Sequence, residues 1–115
     1  MEQVLATALI CAALLMGEPV PRTELLYQDR PVPLTARGCG DGKCLAVTTN
    51  AADLWIVIGR RQNIGWSEAV HEACHRVQHV RNGRMSEAEC YAIQKRAGDC
   101  NASIDHRIRH RDIDR

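Results

Sequence analysis

WSEAVHEACHRVQHVRN, residues 66–82, is the stretch on which the reading of this chain turns. Trp66, Ala69, Val70, Ala73, Val77 and Val80 recur at i, i+3, i+4 and i+7. That spacing predicts a helix with one core-facing stripe, and Gly83 stands where such a helix closes. Inside it, His71-Glu72-Ala73-Cys74-His75 spells H-E-x-x-H. Residues four apart share a helix face, so the two imidazoles lie about 6 Å apart and can hold one zinc ion. Glu72 can then reach a zinc-bound water and act as general base. A chance H-E-x-x-H in a chain this short has odds on the order of a few per thousand. Gln78 falls on the same face as the two histidines. His79 does not extend the pair, because eight residues of helix rise about 12 Å and His79 cannot share an ion with His71. Cys74 reads as a small buried apolar residue.

A second helix is predicted from Ser86 through Ala97, with Gly98 at its end. Ser86 as N-cap and Glu89 at N3 form a capping box. His71-Glu72-Ala73-Cys74-His75-Arg76-Val77-Gln78, followed by Ser86-Glu87-Ala88-Glu89-Cys90-Tyr91-Ala92-Ile93-Gln94, resembles the minimal gluzincin-type zinc metallopeptidases. The resemblance covers roughly residues 54–97. It implies zinc held by His71, His75 and Glu89. Glu89, in E-x-x-A, is the first choice, and Glu87, with Cys90 as the small residue, is the reserve. It also implies that Glu72 takes a proton from the attacking water and passes it to the leaving amine, and that an extended peptide pairs with strand 54–58 at the sheet edge. Tyr91 and His106 are the candidates to steady an oxyanion. Without the histidines, Glu89 would need no more than its capping role to account for it. Cys90 could bind zinc as a thiolate, but packing or a disulfide, with Cys100 for example, is the favoured reading.

At 115 residues the chain has room for one domain with a modest core. It is 45% hydrophobic, with no Phe, two Trp and two Tyr, so that core rests on Leu, Ile, Val and Ala. A net charge of +1 argues against nucleic-acid binding by charge alone. The late basic cluster of Arg107, Arg109, Arg111 and Arg115 is diluted by Asp105, Asp112 and Asp114 and reads as a solvated tail. Residues 4–16, VLATALICAALLM, resemble the middle of a signal peptide, but Glu2 is acidic and no A-x-A site follows. The run is too short to span a bilayer, and a core helix ending near Gly17, before Pro19 and Pro21, is the preferred reading. The compartment stays open from sequence: cytoplasmic, or exported if residues 1–17 act as a signal.

Residues 24–28, 44–49 and 54–58 read as strands. In Cys39-Gly40-Asp41-Gly42-Lys43-Cys44 the Asp-Gly turn sets Cys39 opposite Cys44, with Cα atoms about 4.5 Å apart, which suits a disulfide. A zinc knuckle is less favoured, as no second paired-cysteine unit follows at a matching spacing.

These readings add up to an α+β, zincin-like domain over residues 18–104, between the apolar segment 1–17 and the charged tail 105–115. The expected function is zinc-dependent hydrolysis of peptide bonds by a monomer that takes a peptide or protein substrate and no nucleic acid. The alternatives are a non-catalytic module stabilised by zinc or disulfides, and an inactive zincin.

Overall fold

Three apolar segments supply the core. The first, α1 (Glu2–Met16), belongs to a computed structural model that describes residues 1–33 and 44–100. Leu5, Ala8, Leu9, Cys11, Ala12 and Ala13 of α1 are buried, and the helix packs chiefly against α2 (Trp66–Arg81). Small side chains on both helices, Ala8 and Ala12 on one and Ala69 and Ala73 on the other, leave room for close packing. Gly17, at φ 68°, ends α1 in the left-handed conformation that glycine adopts without steric cost. Its N–H and that of Glu18 take up the last carbonyls.

β1 (Glu24–Gln28), β2 (Val47–Ala51) and β3 (Leu54–Ile58) form a sheet in the order β1-β3-β2. β1 runs parallel to β3 and β2 antiparallel to it. Strand 54–58 is therefore central, not at the edge as expected. Its near-continuous apolar run, LWIVI, is the composition of a strand with neighbours on both sides. Trp55 and Val57 are buried beneath the helices. The expected strand 44–49 is displaced to 47–51, because the ladder opens with Val47 opposite Ile58, the end of β3, and residues 44–46 pair with no strand among the described residues. Leu45 instead crosses tightly over Gly59, where a Cβ would stand 2.7 Å from the Leu45 carbonyl oxygen. Ala52 and Asp53 make the two-residue turn into β3, with Ala52 at φ 48°.

α2 has the expected span, with Ala69, Val70, Ala73 and Val77 buried. Val80, assigned to the same stripe, is exposed because the last turn of α2 runs past the core. Gly83, at φ 73°, returns its N–H to the Gln78 carbonyl. The chain then reverses into α3 (Glu87–Lys95), capped by the Ser86 hydroxyl, which accepts from the Glu89 N–H at 3.2 Å. α3 stops two residues earlier than expected. The Ala97 carbonyl is taken by the Trp66 indole N–H at 2.9 Å, and residues 97–100 form a separate helical turn.

Disulfides join Cys11 to Cys100 and Cys74 to Cys90. Cys90 is thus paired with Cys74 rather than Cys100, and Cys74 is a cross-link rather than a plain core residue. Cys44 is also disulfide-bonded. The expected Cys39–Cys44 hairpin, His106 and the charged tail lie outside the described residues.

Candidate metal centre

α3 runs back along α2, so that Gln78 meets Ser86 at one end and His71 meets Gln94 at the other. Each helix offers the other a stripe at i, i+3, i+4 and i+7. His71, Cys74, His75 and Gln78 lie on α2; Glu87, Cys90, Tyr91 and Gln94 lie on α3. The two imidazole rings meet edge to face at 5.0 Å between centroids. His71 Nδ1 lies 2.9 Å from Gln94 Oε1, and His75 Nδ1 lies 2.9 Å from Gln78 Oε1. The Gln78 amide is oriented by its other bonds: its NH2 donates to the Ser86 carbonyl and to Glu89, and its oxygen accepts from the Ser86 N–H. The Gln78 oxygen therefore accepts the proton of His75 Nδ1 and leaves that ring's Nε2 lone pair free, and Gln94 Oε1 offers His71 Nδ1 an acceptor at the same distance.

Both Nε2 atoms converge on the Glu87 carboxylate, at 3.0 Å from His71 and 2.7 Å from His75. The ligand atoms of His71, His75 and Glu87 all lie within 4.8 Å of one another, the one such grouping among the described residues. The histidines are almost wholly buried, whereas Glu87 is 63% exposed and closes the cluster from the solvent side. With both Nδ1 atoms protonated, two nitrogen lone pairs and a carboxylate would face one another and repel unless a cation or shared protons lay between them. The donor set, two imidazoles and one carboxylate, is one that zinc accepts.

Glu89, the first choice as third ligand, faces elsewhere. Arg81 grips its carboxylate at 2.7 and 3.0 Å, and Gln78 donates to it at 2.8 Å. The Arg81 hydrogen bonds, then that of Gln78, hold the Glu89 carboxyl below the usual range. Residues two apart on a helix point about 200° from each other, so Glu87 and Glu89 cannot both face the histidines. The capping box is only half formed, since the Ser86 N–H goes to Gln78 and not to Glu89.

Glu72 is buried beside the cluster, and its Oε1 accepts from the Thr48 hydroxyl at 2.8 Å. Thr48 in turn accepts from the Trp55 indole N–H at 3.3 Å. Burial pushes the Glu72 carboxyl up to about 8; the nearby Glu87 charge adds to the rise and the Thr48 hydrogen bond opposes it. A cleft of about 680 Å³ opens over the cluster, walled on one side by β2 and on the other by α2 and α3. Tyr91 lines it, with its ring 4.7 Å from that of His71, and so does His79, which is not part of the cluster.

Three contributors, Gln94, Thr48 and Arg76, were not singled out from sequence. Gln94 could have been found from the α3 stripe it shares with Glu87, the reserve ligand, and Cys90. Thr48 carries no local signal, since it reaches Glu72 only once β2 lies against α2. Arg76 is fully buried one residue after His75, and donates to Thr23, Asn50 and the carbonyls of Arg22 and Ala52. It ties the edge strand to the site helix.

Fold and site together define a small α+β domain with a His-His-Glu cluster across an antiparallel helix pair. No protein-family model, curated protein or solved structure matches the chain.

Proposed function

We propose that this protein is a zinc-dependent hydrolase of the gluzincin type, cleaving peptide bonds, with His71, His75 and Glu87 as ligands and Glu72 as general base. The observation that carries the reading is the convergence of two oriented Nε2 atoms and one carboxylate beside a buried glutamate. Zinc bound there would supply a Lewis acid for a carbonyl and lower the pKa of water. Glu72 serves to accept a proton and return it to the leaving amine, from its buried position beside the cluster. Thr48 holds one carboxylate oxygen and leaves the other for the proton. Gln78 and Gln94 keep the imidazoles in the ligating tautomer. β2, rather than β3, is the edge strand beside the cleft, and its outer backbone groups can pair with an extended peptide. Leu45, Met85 and Tyr91 give the cleft apolar walls.

The test is zinc content and peptide hydrolysis of the full oxidised chain, with Glu72→Gln as control. About one equivalent of zinc is expected in both proteins, with hydrolysis in the wild type and a loss of at least about 100-fold in the variant. A chain that takes up no zinc at neutral pH overturns the metal centre. Equal hydrolysis in both proteins overturns the role of Glu72.

A further inference from the structure

The Cys74–Cys90 disulfide lies at the middle of the helix pair that assembles the cluster. On α2, Cys74 sits between His71 and His75. On α3, Cys90 follows Glu87 by one turn and precedes Gln94 by another. Both cysteines are fully buried. Cys90 Sγ stands 3.6 Å from His75 Nδ1, the same nitrogen that Gln78 engages. α3 is nine residues long and buries only Cys90 and Ile93; its polar ties to α2 gather at its start, where Gln78 and Arg81 hold Ser86 and Glu89. A helix that short is marginal in water without tertiary support. Glu87 and Gln94 are thus held over the histidines by a short helix that this cross-link ties covalently to α2 midway between them.

We propose that the disulfide and the metal cluster form one linked device, in which reduction of Cys74–Cys90 lowers metal affinity and bound metal protects the disulfide. The proposal rests on the metal-centre reading above. The reductant is a dithiol. One of its thiolates attacks a sulfur of the pair, breaking the S–S bond and forming a mixed disulfide. Its second thiol then closes the reductant's own disulfide, and Cys74 and Cys90 are left as two thiols carrying two electrons and two protons more. Both sulfurs are buried, so attack requires α3 to lift from α2. A cation joining Glu87 to His71 and His75 opposes that movement. By linkage, whatever the metal adds to the closed state the disulfide adds to metal binding. A free Cys90 thiol would also stand against His75 Nδ1 and compete with Gln78 for it.

Zinc affinity of the full chain, by competition with a chromophoric chelator, tests this. Cys74→Ala/Cys90→Ala is compared with oxidised wild type and with Cys11→Ala/Cys100→Ala, which removes a disulfide away from the cluster. The expected result is a weakening of about 10- to 100-fold in the first variant and less than about threefold in the second. Equal weakening in both, or none in the first, overturns the coupling while leaving the metal centre standing. Absence of zinc binding in the wild type overturns both. A second measurement needs no variant. A phosphine reductant takes oxygen from water as it opens a disulfide to two thiols, and the thiols are counted by alkylation. Zinc should slow the opening of Cys74–Cys90 by about tenfold or more and leave Cys11–Cys100 unaffected; equal rates with and without zinc overturn the proposal.

Discussion

Glu87 and Glu89 differ by one step along α3, and the helical repeat sends them to opposite duties. Glu87 faces two imidazole Nε2 atoms; Glu89 locks Arg81 and Gln78 to the start of α3. Glu87→Ala should therefore abolish zinc uptake. Glu89→Ala should keep it and lower stability by about 1 kcal/mol, because the partners are half exposed and solvent screens the pair. Zinc titration and urea denaturation of both variants check this, and the reverse pattern would return Glu89 to the ligand set. Glu72 gives a second test at this scale. Its carboxyl is raised in the folded protein from the ordinary 4.5 to about 8, mainly by burial. In that window the folded state holds a proton that the unfolded state has released. Stability of the chelator-treated protein should then be highest below pH 4.5, as far as this group is concerned, and fall as pH rises towards 8. Glu72→Gln should flatten that fall. Urea midpoints at intervals between pH 5 and pH 8 would reveal it, and an equal slope in both proteins would show that Glu72 is not the group responsible.

At the scale of elements, the cleft depends on how β2 lies against α2. Thr48 meets Glu72, and two residues on, Asn50 meets Arg76, so strand and helix run side by side in the same sense. Arg76 spends its guanidinium on four acceptors and joins three segments of chain: the approach to β1, the edge strand and its turn. Arg76→Met keeps the length of the side chain but strands those acceptors. It should cost about 3 kcal/mol of stability and leave zinc affinity of the remaining folded protein within a few-fold. Denaturation and chelator competition separate the two effects. A variant as stable as the wild type would mean that water replaces the guanidinium without loss. The sequence read helices better than strands for a related reason: helical periodicity is a local property, whereas strand order and strand ends are set by the partner. The apolar run of β3 was visible as a strand, and its central place became plain only with β1 and β2 on either side.

Across the whole molecule, α1 is bound to the far end of the described chain by Cys11–Cys100, two cysteines 89 positions apart in sequence. A cross-link over so long a loop restricts the unfolded chain strongly. Cys11→Ala/Cys100→Ala should lower stability by roughly 4 kcal/mol, measured as the urea midpoint, while the cluster keeps its zinc. An unchanged midpoint would mean that packing of α1 on α2 already closes the chain. The apolar run that resembled a signal-peptide middle is in this structure a core helix, with six of its fifteen residues buried. Uncharged, small and continuous, such a run meets the needs of either setting, and composition does not separate them.

The sequence by itself determined what depends on neighbours within one or two helical turns. That covers the span of α2, the His71 and His75 pair on one face, the Ser86 cap, the stops at Gly17 and Gly83, and the strands at 24–28 and 54–58. Backbone geometry alone enforces each of these. Only the tertiary structure decided which glutamate meets the histidines, which cysteines pair, which strand borders the cleft and which hydroxyl holds Glu72. Those contacts join residues at least twelve positions apart, so local spacing carries no record of them. They arise when α3 folds back on α2 and the sheet closes beneath.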